Sequence, residues 1–227
     1  MRRKFEGKKL AFLGDSITEG ACASTPEGIY HAILKDLLRA KEALNYGISG
    51  TRIAIQTSPS ATPREDRYFA SRIEEIDGES DFVFVFGGTN DFGHGDAPFG
   101  DFSDNTEYTF CGACKRLFQK LIDKFGKEKI IVILPLHRFG EDNLFGDGSK
   151  KIPSKPLEAY VRAIREIARG FGLAIIDLWE EERLNPNRKG SESNFADGLH
   201  PNPLGHRILA EKIKEKLESF GREYEDR

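Results

Sequence analysis

A doubly wound α/β fold, with a parallel sheet covered on both faces by helices as a three-layer αβα sandwich, is predicted by three features of the sequence. Five short segments rich in Val, Ile, Leu or Phe lack a clean in-and-out alternation, as strands covered on both faces do. Helical stretches with apolar stripes stand between them. The length of 227 residues suits one large domain, so residues 1–227 are read as a single unit with enough chain to bury a real core.

The elements follow in order. Strands are expected over Lys9–Leu13, Glu42–Tyr46, Asp81–Phe86, Lys129–Leu134 and Leu173–Ile176, the second being the weakest by composition. A helix over Ile29–Arg39 carries Ile33, Leu34, Leu37 and Leu38. A longer one over Asn105–Phe125 lines up Phe110, Leu117, Leu121 and Phe125. A third over Leu157–Arg169 carries Leu157, Val161, Ile164 and Ala168, and the last, Pro203–Phe220, has a proline suited to a first turn. Four connections are long: Ile53–Pro63, Phe92–Thr106, Arg138–Ser154 and Trp179–Asn202. Long loops in a compact domain are more often functional than idle.

Composition narrows the classes. The 34 basic and 37 acidic residues nearly cancel, which argues against a nucleic-acid partner or an anionic membrane surface. No run approaches the ~18 apolar residues of a membrane span. The basic start, Met1 to Lys9, lacks an apolar signal-peptide core. Three cysteines make no disulfide framework. A cytoplasmic protein is the expectation.

Two segments carry the chemistry. Gly14-Asp15-Ser16-Ile17-Thr18 puts a serine at the end of the first strand. Asp197-Gly198-Leu199-His200-Pro201 puts a carboxylate and an imidazole three residues apart on one turn. Serine alone is a poor nucleophile; an imidazole can take its proton, and a carboxylate on the other ring nitrogen holds the imidazole in the right tautomer. Two further segments, Asn45-Tyr46-Gly47-Ile48-Ser49-Gly50-Thr51 and Gly87-Gly88-Thr89-Asn90-Asp91, each follow a strand. The backbone N–H groups of Ser16 and Gly50 and the side-chain amide of Asn90 would together form an oxyanion hole. Ligands bind at the carboxyl ends of strands in open α/β sheets, so these segments are expected to meet at one rim.

These four blocks, in this order from Gly14 to Pro201, resemble the SGNH hydrolase family, also called the GDSL esterase/lipase family. Its name-giving serine, glycine, asparagine and histidine are matched by Ser16, Gly50, Asn90 and His200. Ile17 stands where the family often has leucine. The resemblance implies a flavodoxin-like five-stranded sheet of order 2-1-3-4-5. It implies a serine esterase that hydrolyses a small-molecule ester through a Ser16–His200–Asp197 triad and an acyl-enzyme, with no metal and no organic cofactor. Short acyl esters, O-acetyl groups on carbohydrates first among them, are the expected substrates. Lysophospholipids, thioesters or acyl transfer to an acceptor alcohol are alternatives with the same site, and a flavodoxin-like binding domain is the non-enzyme alternative.

Other residues compete for attention. Asp177, at the end of the fifth strand, is the rival orienting carboxylate; family position favours Asp197. Asp15, Thr89 and Asp91 read as turn or capping residues. His31 and His206 read as surface or partly buried helix residues. Arg52, Phe92, His94, His137, Arg138 and Trp179 are candidates to line the substrate pocket. Cys111-Gly112-Ala113-Cys114 has redox-pair spacing but falls inside a helix, so two small packing residues are expected. Cys22 lies close to Ser16 in sequence and is read as inert.

Overall fold

The structure is a computed structural model and describes residues 2–225. Five strands form one parallel sheet in the order β2-β1-β3-β4-β5. They are β1 (Lys9–Gly14), β2 (Glu42–Gly47), β3 (Phe82–Phe86), β4 (Ile130–Ile133) and β5 (Ala174–Ile176). The α-helices are α1 (Arg2–Phe5), α2 (Ser16–Glu19), α3 (Tyr30–Leu38), α4 (Thr89–Gly93), α5 (Phe110–Phe125), α6 (Leu157–Gly170) and α7 (Pro203–Glu225). The expected fold class and strand order are therefore observed.

Alternation along the strands sorts their side chains into two cores. Ala11, Leu13, Val83, Val85, Ile130 and Val132 face the layer built by α5 and α6. Leu10, Phe12, Phe84, Phe86, Ile131 and Ile133 face the layer of α3 and α7. Both faces of β1, β3 and β4 are thus apolar, which is why no polar position interrupts their sequences. β2 is an edge strand; none of its six residues is fully buried. Its weak composition follows from that place. The other edge, β5, likewise exposes Ala174.

Two expectations need adjusting. The helix placed from Asn105 begins at Phe110. Ahead of it the polar groups close turns of their own: Thr109 Oγ1 donates to Asp104 at 2.8 Å, the local competition that keeps such residues out of helix interiors. His31 and His206 are both buried. His31 packs its ring against Phe12 at 5.3 Å between centroids, and His206 lies parallel to Tyr30.

The register sets up the site. Gly14 at the end of β1 pairs with Gly47 of β2 on one side and Phe86 of β3 on the other. Three adjacent strands therefore end level, and the loops after them leave from one rim. Gly47 has no room for a side chain: a Cβ there would lie 2.2 Å from the Glu19 backbone nitrogen.

Candidate active site

Ser16 is the first residue of α2, directly after β1. The side chain of Asp15 caps that helix by accepting the Ile17 N–H at 3.1 Å, the turn-holding role expected for it. Burial pushes the Asp15 carboxyl up to about 6. Ser16 is itself buried. Its hydroxyl oxygen lies 2.9 Å from Nε2 of His200.

His200 sits on the turn ahead of α7. Its Nδ1 is 2.7 Å from Oδ2 of Asp197. Oδ1 of the same carboxylate accepts the backbone N–H of Leu199 at 2.9 Å and of His200 at 2.8 Å. Burial raises the pKa of Asp197, but the hydrogen bonds from His200 and Leu199 outweigh it and hold the carboxyl below its ordinary value. An ionised Asp197 accepts only, so the proton between them belongs to Nδ1, and Nε2 is left with its lone pair toward Ser16. The rival Asp177 is committed elsewhere: it accepts from Nε of Arg165 at 2.8 Å and from the Trp179 N–H at 3.1 Å.

Asn90 is buried at the start of α4. One of its amide hydrogens goes to the Thr51 carbonyl at 3.0 Å. The other has no acceptor among the described residues, and neither has the N–H of Ser16 or of Gly50. Gly50 takes a left-handed backbone, φ +75°, open to glycine at no cost. Its carbonyl accepts from Nη1 of Arg52 and lies 3.2 Å from Nε2 of His94.

The pocket candidates divide. Arg52 is buried and holds Ser60 and Asp66 at 2.6 and 2.9 Å, bracing the Gly50 loop from behind. His94 touches that loop too. Phe92 is in the core, edge-on to Tyr160. Arg138 is buried over the Phe92 ring and donates to the Thr89 carbonyl at 3.3 Å. The His137 ring lies tilted against Trp179 with centroids 3.6 Å apart, and both its ring nitrogens are engaged, by Glu141 and by the Trp179 carbonyl. Of the six, His137 alone lines the small cavity formed with Asp15, Ile17, Gly87, Leu136 and Leu199. That cavity adjoins the residues flanking Ser16 and the residue before His200, and has room for about one water molecule.

Other contributors were not visible in sequence. Asp91, read as a local turn residue, reaches across to accept the Ile53 and Ala54 N–H groups at 2.9 and 3.0 Å, clasping the third block to the second. Burial pushes it up to about 6. Lys150 donates to the carbonyls of Asp91 and Gly95. His206 accepts the Tyr30 N–H on Nδ1 and therefore carries its proton on Nε2, facing the Ala21 carbonyl at 3.2 Å. Phe139, half exposed, packs on Gly198 in the turn between Asp197 and His200. Cys111 and Cys114 are buried and unbonded in α5. Burial pushes the Cys111 thiol up to about 11 and raises that of Cys114 as well, which suits packing better than redox work.

The chain matches the GDSL-like lipase/acylhydrolase family over residues 12–208. It is 27% identical, in an alignment of 236 residues, to a GDSL esterase/lipase of Arabidopsis thaliana, covering 96% of this chain and 89% of that one. The crystal structure of a protein from Lactobacillus plantarum superposes with a TM-score of 0.78 at 29% identity, over 94% of this chain and 98% of the other. A two-domain esterase active on acetylated mannans shares the fold, with a TM-score of 0.60 at 21% identity, over 96% of this chain and 50% of the other.

Proposed function

The chain belongs to the GDSL-like lipase/acylhydrolase family and is a carboxylic ester hydrolase; we propose that it is a serine esterase, with Ser16 as nucleophile, that cleaves short acyl groups from polar alcohols. The observation that carries this reading is the unbroken relay from the Ser16 hydroxyl through both ring nitrogens of His200 to Asp197. Nε2 of His200 takes the serine proton as the hydroxyl oxygen attacks the ester carbonyl. Asp197 steadies the imidazolium that forms. The three unpaired donors, on Ser16, Gly50 and Asn90, receive the negative charge that develops on the carbonyl oxygen. His200 then protonates the leaving alcohol. Water enters, is deprotonated by the same nitrogen and releases the acid from the acyl-enzyme.

The cavity lined by the neighbours of Ser16 and His200 has room for about one water molecule, which fits no long acyl chain, so acetyl is the acyl group to test first. The Phe139 ring beside the Asp197–His200 turn offers a flat apolar face for a sugar. An acetylated carbohydrate is therefore the substrate class to test first, and the mannan esterase that shares the fold makes acetylated mannan a natural choice. The deciding experiment is labelling by a serine-directed organophosphonate. Added mass at Ser16, together with loss of nitrophenyl acetate hydrolysis in Ser16→Ala, is expected. Retained hydrolysis in that variant overturns the nucleophile. A kcat/KM for nitrophenyl octanoate equal to that for the acetate overturns the short-acyl reading.

A further inference from the structure

Arg72 lies in the short 3-10 helix Phe69–Glu75, between the second and third blocks, and none of the chemistry above uses it. It is 1% exposed. Its guanidinium donates to three acceptors: Nη1 to the Tyr46 carbonyl at 2.6 Å, and Nη2 to the Gly14 carbonyl and the Thr51 hydroxyl, both at 3.1 Å. Gly14 is two residues before Ser16. Tyr46 is four residues before Gly50. The Thr51 hydroxyl donates onward to the Ile48 carbonyl at 2.7 Å, and the Thr51 carbonyl holds the Asn90 amide. One planar group therefore touches the ends of β1 and β2 and the residue that orients Asn90.

This is an expensive way to tie backbone together. A buried charge is costly unless it is paired. No carboxylate lies within 4.0 Å of Arg72 among the described residues; Asp15, Glu19 and Glu75 face it from further away. The face of the guanidinium rests on the Phe69 ring, 4.9 Å from its centroid, and that ring in turn packs under Gly87. Burial lowers the arginine to about 10, so it stays cationic at neutral pH. A charge kept there, held by carbonyl dipoles and set among the roots of three donor segments, suits a site where negative charge appears during reaction.

We propose that Arg72 is a positioning residue for the oxyanion hole, fixing the donors on Ser16, Gly50 and Asn90 relative to one another through Gly14, Tyr46 and Thr51; this rests on the oxyanion-hole reading above. A lysine keeps the charge but not the planar fork, so it cannot serve the three acceptors in the same geometry. Arg72→Lys should lower kcat for nitrophenyl acetate by at least about tenfold, with KM within about twofold, because donors aimed at the developing oxyanion act on the transition state. Rates are taken per active site titrated with phosphonate, and phosphonate inactivation should slow in parallel.

Thr51→Val and Thr51→Ser test the same link while leaving the guanidinium itself intact. The valine variant should lose kcat and the serine variant should keep it. Wild-type kcat in Arg72→Lys overturns the proposal, as does equal loss in Thr51→Ser and Thr51→Val, which would mark methyl packing. Should Arg72→Lys fail to fold, the Thr51 pair decides alone, and wild-type kcat in Thr51→Val overturns it. Wild-type protein that takes no phosphonate at Ser16 would instead refute the esterase mechanism itself.

Discussion

Asp197 holds His200 twice, accepting from the ring at Nδ1 with one oxygen, at 2.7 Å, and from the backbone N–H with the other, at 2.8 Å. The turn and the tautomer are thus set by the same side chain. Asp197→Asn presents an amide in place of a carboxylate, favours the wrong tautomer and cannot steady an imidazolium. Its kcat should fall on the order of 10³–10⁴-fold with KM little changed. Steady-state kinetics on nitrophenyl acetate check this; a loss below about tenfold would move the orienting role elsewhere.

Asn90 spends one amide hydrogen on Thr51 and keeps one free. Asn90→Ala should reduce kcat by on the order of 10²–10³. Phosphonate labelling of Ser16 should slow with it, since the adduct also places an oxygen in the hole. Labelling at the wild-type rate would show that the amide points away from the reaction.

Gly198 combines a left-handed backbone, φ +79°, with no space: a Cβ there would lie 2.0 Å from Cδ2 of Phe139. Gly198→Ala should therefore shift the Asp197–His200 turn and lower both activity and Tm. Adding Phe139→Ala should restore part of the loss by removing the clash, leaving the backbone cost of about 1 kcal/mol. Thermal denaturation of the single and double variants measures this, and a double variant as damaged as Gly198→Ala would locate the strain elsewhere.

Asp15 and Asp91 are buried carboxyls raised to about 6, against an unfolded value near ~3.9. Between those values the folded chain binds more protons than the unfolded one. Their contribution to stability is therefore full below the unfolded pKa and is lost as pH rises through the folded one. Asp197, held low, acts in the opposite sense, but its contribution fades only as pH falls below the ordinary carboxylate range. Asp91→Asn should flatten the dependence of the urea midpoint on pH between about 4 and 7, while lowering the midpoint at neutral pH, because an amide accepts from only one of the Ile53 and Ala54 N–H groups. A slope identical to the wild type would show that Asp91 does not titrate in that window.

The sequence by itself determined a good deal. The bounds of all five strands were legible to within a residue or two; for β1, β3 and β4 the reason is burial on both faces, which leaves an unbroken apolar run, whereas the edge strand β2, with Glu42 and Asn45, shows only a weak one. The blocks around Ser16, Gly50, Asn90 and His200 stand out because each follows a strand or forms a tight turn, where local backbone constraint writes itself into residue type. Tertiary structure alone decided what joins them. Arg72 reaches Gly14 across 58 residues, Asp91 reaches Ile53 across 38, and His206 meets Tyr30 across 176. Such partners have no periodicity and no spacing rule. A buried polar group is satisfied by whichever backbone the fold brings within about 3 Å, and only the packed sheet and its loops say which backbone that is.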